Sequence, residues 1–368
     1  MGWFSKKSVP SQARPPVWLG EASGGFVRSY EAQTEEVYRT NPVGFRAVRM
    51  VAQALGGLSV YAAEGDERAA GLVPGNLLER AGASLLLHGN AYVQLLADSE
   101  DKPAELALLR PERVSVALDG RGQPSAYLYR VGGAVSRIEA NDALARAQVT
   151  HVRALTLADD HYGQGCLDAA VAAASVHNKA SRWNKGLLDQ AARPSGALTY
   201  ETGDGSLMSA EQFDRLSREL AEQFSGAANA GRPLLLDGGL KWQPLSLTPA
   251  EMDFVALKEA AARDIALAFG VPPVLLGLPG DTAYANVREA GRALYRQTVL
   301  PLAGQLLDAL SAMLSDWMGL VRLAVDTDQV GELAEDRAAL WASVQAADFL
   351  SVTEKREMLG FASEGGAA

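Results

Sequence analysis

The sequence predicts an α+β fold, and three features of it do so. Between residues 91 and 154, short apolar runs of strand length recur, separated by glycine turns. On both sides of that region, apolar residues instead recur at three- and four-residue spacing, as amphipathic helices require. The chain has 368 residues and 48% apolar content, enough to bury substantial cores in two or three domains.

In order along the chain, residues 1–25 combine Pro10, Pro15 and Pro16 with Lys6, Lys7 and Arg14, and read as a mobile, mildly basic arm. The first firm helix starts at Asn41-Pro42, where Asn can cap and Pro fits the first turn. It carries Val48, Val51, Ala52 and Leu55 on one face and stops at Gly56-Gly57. Leu58–Ala62 reads as a strand and Asn76–His88 as a helix. Ala91–Ala97, Val114–Leu118, Ala126–Val131 and Val149–Ala154 read as further strands of one antiparallel domain over 26–160.

From Gly165 to Ala192 the pattern is helical, rich in alanine and basic on balance, ending at Pro194-Ser195-Gly196. A small α/β insert follows: a strand at Ala197–Glu201, a helix from Ser209, and strands near Leu234–Leu236 and Leu240–Leu245. Thr248-Pro249-Ala250-Glu251 is a capping box for a helix that runs to Phe269 and is stopped by Gly270-Val271-Pro272-Pro273. Gly277–Ala285 reads as a loop, and a long helix then reaches Met318, with a kink expected at Pro301. The last 43 residues, from Asp326, hold nine acids against three bases and read as mostly helical, with a second capping box at Ser351–Glu354.

Composition narrows the function classes. The net charge of −10 argues against a protein that grips nucleic acid over its whole surface, though not against one that surrounds it. A single cysteine excludes an intramolecular disulfide and a cysteine-rich metal site, and fits a reducing cytoplasm. No uncharged apolar run approaches 18 residues, and the N-terminus resembles neither a secretory signal nor a myristoylation site, so no membrane attachment is expected.

Catalytic signatures are scarce. The chain has no G-x-S-x-G elbow, no phosphate-binding P-loop and no H-E-x-x-H. His161 and Cys166 are spaced to suggest a Cys/His nucleophile, but a small buried thiol and a loop histidine account for them more simply. His88, His151 and His177 lack acidic neighbours at ligand spacing, and Asp159-Asp160 fits a solvated turn. What stands out is two helices bracketing a compact insert. Periodicity leaves two explanations of their charged surfaces open: solvated faces of a monomer, or helices lining a wet channel.

The ordered motifs resemble the portal proteins of long-tailed double-stranded DNA phages, a family also found in prophages and gene-transfer agents. Asn41-Pro42, His88-Gly89-Asn90-Ala91-Tyr92-Val93, Leu109-Arg110-Pro111-Glu112-Arg113-Val114, Thr150-His151-Val152-Arg153 and Tyr162-Gly163-Gln164-Gly165 occur in the family's order. Gly165-Cys166 departs from the family's Ser-Pro at the last of these. Asn229-Ala230-Gly231-Arg232, Phe269-Gly270-Val271-Pro272-Pro273, Asn286, Leu300-Pro301 and Phe349–Arg356 complete the series.

The resemblance implies a non-enzymatic, cofactor-free subunit of a dodecameric ring at one capsid vertex, assembled in the bacterial host cytoplasm. The expected partners are copies of itself, double-stranded DNA in transit, the large terminase, the major capsid protein and a head–tail adaptor. It further implies a wing (26–160, plus the long kinked helix 286–325), stem helices (161–194 and 248–270), a clip (195–247) and a C-terminal crown (326–368). The tunnel loop region would span 271–285, with Gly277, Pro279, Gly280, Asp281, Thr282, Tyr284 and Asn286 as its residues. Lys179, Arg182, Lys185 and Lys258 become candidate channel contacts to phosphate, and Asn229, Arg232 and Lys241 mark the clip. Two other classes stay in play: a hydrolase using Cys166, and an adaptor that never touches DNA.

Overall fold

A computed structural model describes residues 29–157, 159–189, 196–200, 240–244, 254–278 and 284–359, with a few positions between 209 and 218. The expected arm over 1–25, the helix stop at Pro194-Ser195 and the strand near Leu234–Leu236 lie outside the described residues, as does the Thr248–Glu251 capping box.

The chain divides into two compact units, residues 1–171 with 265–368, and residues 172–264. The first opens with α1 (Tyr30–Thr34), capped by Ser29, which winds directly into a π-turn at Glu35–Arg39. The helix α2 (Pro42–Gly56) follows. Asn41 caps it as its sequence predicts, its Oδ1 accepting from the N–H groups of Val43 (3.0 Å) and Gly44 (3.1 Å). Because Asn41 is buried, Asn41→Ala is expected to cost about 1–2 kcal/mol in urea unfolding; an unchanged midpoint would refute the role.

Next come β1 (Val60–Glu64), α3 (Arg68–Gly71) and α4 (Gly75–His88). Helix α4 buries Leu77, Leu78, Ala81, Leu85 and Leu86, which recur at helical spacing. Among the described residues of this unit, the strands form three sheets. Strands β2 (Asn90–Ala97), β3 (Pro103–Leu109) and β7 (Val149–Arg153) form an antiparallel sheet in the order β3-β2-β7. Strands β4 (Val114–Leu118), β5 (Pro124–Val131) and β6 (Ala134–Glu139) form a second. The third pairs β1 with β10 (Arg322–Val325), joining segments 258 positions apart at Glu64 and Arg322.

Besides β10, two of these strands were not legible as strands. Strand β3 falls within what reads as connection, and β6 exposes five of its six residues, leaving no alternation to detect. Strand β1 also starts two residues later than Leu58.

Between residues 265 and 359 the first unit is mainly helical. Helix α7 (Tyr284–Leu294), a π-turn (Tyr295–Val299) and α8 (Leu300–Met318) form one continuous rod. Pro301 has no N–H to donate, and the π-turn just before it absorbs the misfit, with the Leu300 N–H reaching the Tyr295 carbonyl. Over Asn286–Met318 this rod is apolar enough, by length and composition, to cross a membrane. Burial in the protein accounts for that: Ala303, Leu306, Leu307, Leu310, Met313 and Leu314 form its core stripe, packed with Leu77, Leu78, Leu85, Ala91 and Val93. A smaller core gathers Tyr92, Leu109, Val116, Tyr127, Val149 and Tyr162.

The acidic C-terminal region forms α9 (Ala334–Ala346) and α10 (Val352–Met358). Its capping box is reciprocal, with Glu354 N–H donating to Ser351 Oγ (3.3 Å) and Ser351 N–H to Glu354 Oε2 (2.8 Å).

The second unit contains most of α5 (Leu167–Asp189), the hairpin of β8 (Gly196–Tyr200) and β9 (Leu240–Pro244), and most of α6 (Phe254–Ala268). The hairpin pairs antiparallel from Gly196↔Pro244 to Tyr200↔Leu240.

Candidate functional site

Three features bear on function: the turn that launches α5, the two helices flanking the hairpin, and the bend after α6.

The turn that launches α5 is fixed by Asn90. Its Oδ1 accepts from the Gly163 N–H (2.8 Å), and its Nδ2 donates to the Gly163 carbonyl (3.0 Å) and the His88 carbonyl (3.1 Å). These backbone partners fix the amide orientation, which in turn sets the two histidines. His88 Nδ1 accepts from Asn90 Nδ2 (3.1 Å), and His151 Nε2 donates to Asn90 Oδ1 (2.9 Å). Three glycines let the backbones approach closely. A Cβ on Gly163 would lie 2.1 Å from the Gly89 carbonyl oxygen, and one on Gly165 would lie 2.3 Å from that of Leu87. Gly89 caps α4 at φ +79°. The H-G-N-A-Y and Y-G-Q-G segments are thus two halves of one clasp. Leu167 begins α5 immediately after it, with Asp168 in the first turn accepting from Gln33 Nε2 (2.8 Å).

Burial holds both histidines neutral. It pulls His88 down to about 4, beside the Tyr30 ring at 4.7 Å, and His151 down to about 3, stacked on Tyr92 at 4.1 Å. Neither serves acid–base chemistry near neutral pH, and the described residues contain no group of three metal-ligating side chains. Burial likewise pushes the Cys166 thiol up to about 11, which disfavours the thiolate a nucleophile needs. Asp159 caps its own turn by accepting from the N–H groups of His161 (2.7 Å) and Tyr162 (2.8 Å).

On α5, Lys179, Arg182 and Lys185 are exposed at three-residue steps, while Ala174, Ser175, His177, Asn178 and Ala180 are buried. Lys258, on α6, stands apart from that row. It is half-buried and close enough to His177 to add to the lowering of that histidine's pKa, which is due first to burial. Its neighbours on α6, Glu259 and Arg263, form an ion pair at 3.9 Å.

The bend after α6 begins at Gly270, with φ +64°. Thr298, inside the π-turn, donates to the Gly270 carbonyl at 2.7 Å and so ties the bend to the long rod. A 3₁₀ turn over Pro273–Leu276 ends at Gly277, φ +72°, the turn expected there. Two of the expected loop residues are corrected. Tyr284 and Asn286 belong to the first turn of α7, which starts two residues before Asn286 because the Tyr-Ala-Asn-Val segment already continues the helical pattern. Pro279, Gly280, Asp281 and Thr282 lie outside the described residues, as do Asn229 and Arg232; Lys241 sits on β9, opposite Thr199.

Sequence reasoning missed an arginine row on the rod. Arg288 meets Glu335 at 2.6 Å, Arg292 meets Glu335 at 2.6 Å and Glu289 at 3.1 Å, and Arg296 meets Asp336 at 3.1 Å. The spacing 288, 292, 296 was readable as one helical face; the acidic partners 40 or more positions away were not.

Comparison with known proteins gives one family. The family model described as phage portal protein matches residues 42–360. A chain from the neck of an empty gene transfer agent (GTA) particle, computed with C6 symmetry, superposes with a TM-score of 0.71 at 41% identity. That match covers 92% of this chain and 96% of the other. A chain from the neck of a native GTA particle, computed with C12 symmetry, gives 0.68 at 42% identity, covering 91% and 94%. An uncharacterized protein of Rickettsia bellii is 39% identical over 347 residues, 88% of each chain.

Proposed function

This chain belongs to the phage portal protein family, and from that premise we propose that it is one subunit of a twelve-membered ring whose helices α5 and α6 line a DNA channel. Its role is structural, as a portal component at the neck of a phage-like particle. The observation that supports the ring stoichiometry is the 42% identity, over nine-tenths of both chains, to a chain from a neck computed with C12 symmetry.

In this reading, residues 26–160 and the segment 286–325, which carries most of the rod and β10, form the wing, and α5 and α6 with the hairpin between them form stem and clip. The region 271–285 forms the tunnel loop, and the acidic residues 326–368 form the crown. Lys179, Arg182 and Lys185, exposed in a row on α5, would contact phosphate in passing DNA, with Lys258 as a weaker candidate because it is half-buried. The overall acidity suits a conduit, since few phosphate contacts let the polymer slide. Large terminase, major capsid protein and head–tail adaptor are the partners such a ring would meet during assembly in the host cytoplasm.

A Cys-dependent hydrolase finds no support in a half-buried thiol pushed up to about 11 by desolvation. Cys166→Ala is therefore expected to leave the yield of DNA-filled particles unchanged, scored by nuclease-protected DNA; loss of packaging with normal rings would revive the enzyme. The ring itself is tested by single-particle imaging of the purified protein. Twelve-fold rings with a central pore are expected, and compact monomers under all conditions would overturn the assignment.

A further inference from the structure

The C-terminal helices α9 and α10 present an apolar surface that is exposed among the described residues. Helix α9 buries only Val344. Phe349 is 87% exposed and Val352 75%, and Leu340, Trp341 and Met358 are exposed as well. So much large apolar surface within 19 residues marks a contact surface. The segment is nonetheless held in place by charge: Glu335 and Asp336 of α9 are gripped by Arg288, Arg292 and Arg296 of the rod. The apolar surface is thus presented outward from an ionic seat.

Its surroundings are acidic, with nine acids against three bases from Asp326 onward, so two identical surfaces would repel each other. In a closed ring with more than two members, moreover, each contact joins two different surfaces of the subunit. Helix α2 offers a complementary one. Residues 37–63 hold three arginines and no carboxylate. On the exposed side of α2, Phe45 packs against Tyr38 at 5.3 Å, and the Arg49 guanidinium lies 5.4 Å over its ring. Among the described residues, neither Arg46 nor Arg49 has a carboxylate within ion-pair distance. An aromatic anchor beside arginines is a composition enriched at protein–protein hot spots.

We infer that the α9–α10 surface of one copy seats on the α2 surface of the next, Phe349 and Val352 against Phe45, with Asp348 facing Arg46 and Arg49. The inference rests on the ring reading and names one contact that closes the ring.

The test uses the full-length protein and native mass measurement across a dilution series. Phe349→Asp and the double variant Arg46→Glu/Arg49→Glu are each expected to raise the half-assembly concentration at least tenfold. Arg130→Glu, an exposed control on β5, should leave it unchanged. Adding Asp348→Arg to the α2 double variant is expected to recover part of the loss. Matching circular dichroism and melting temperatures would show that the variants fold. Rings at wild-type concentration from Phe349→Asp would overturn the proposal. So would a defect confined to the C-terminal variants, because another partner would then cover that surface. A wild-type protein that forms no rings would instead refute the ring reading itself.

Discussion

Gly163→Ala is expected to yield little or no folded protein. The added methyl would sit 2.1 Å from the Gly89 carbonyl oxygen and 2.6 Å from the Ala154 nitrogen, both backbone atoms that no rotamer change can move. Relief requires the strands to part, and the hydrogen bonds that hold them there go together. These are Ala154 N–H to Gly89 carbonyl (2.8 Å) and both bonds between Asn90 and Gly163. Each bond lost with a buried partner left behind costs about 1–3 kcal/mol. Three of them with steric strain approach the roughly 5–15 kcal/mol by which a domain is stable. Gly304→Ala gives the contrast: nothing lies within 4 Å of the position, and it is inside α8, so a gain of up to about 1 kcal/mol is expected. Soluble yield and urea midpoints check both, and a Gly163→Ala protein melting within a few degrees of wild type would refute the clasp.

That contrast shows what the sequence could and could not convey. Its motifs H-G-N-A-Y and Y-G-Q-G were legible as marks of a family, and the turn glycines were legible as turns. That the two motifs clasp each other was not legible, because nothing in either segment encodes the partner 73 positions away. The departure at Gly165-Cys166 is explained in the same way. Gly165 passes so close to Leu87 that no side chain fits, and the Cys166 N–H spends itself on the Leu86 carbonyl at 2.8 Å.

Elsewhere legibility followed local physics. Helix α2 was readable because cap and apolar stripe coincide within one segment, α4 from its apolar stripe, and the Ser351 capping box from its own four residues. Strand β2 was readable despite being buried on both faces, where Ala91, Tyr92 and Val93 are all fully covered and alternation disappears. Strand β10 was hidden because its reason for existing is β1, far back in the chain. Among the candidate channel residues, Lys179, Arg182 and Lys185 are all exposed, and the half-burial of Lys258 could not be read from charge alone.

Acid should unfold the first unit well above the range where carboxylates titrate. His88 and His151 carry folded-state pKa values of about 4 and about 3, both lowered chiefly by burial, against an ordinary value near 6.5. A histidine whose pKa is lowered by folding binds its proton more readily when unfolded. Stability is therefore complete above about pH 6.5 and declines as pH falls, until the folded pKa is passed. Each group contributes up to about 1.4 kcal/mol per pH unit in that window. The two lie on the same asparagine, so protonating either one attacks the same clasp. The depressed carboxylates Asp98, Asp142 and Glu354, held down by hydrogen bonds to their carboxylate forms, act in the same direction, but only below about pH 5, where their unfolded forms begin to take up protons. The interval from pH 6.5 to about 5 thus belongs to the histidines. Urea midpoints at pH 7, 6, 5 and 4.5 are expected to fall progressively. His151→Phe, which keeps a ring against Tyr92 and removes one titrating group, should flatten the decline while lowering the midpoint at pH 7. A wild-type midpoint constant between pH 7 and 5 would show that the histidines are not held neutral by the fold, and the clasp would lose its electrostatic half.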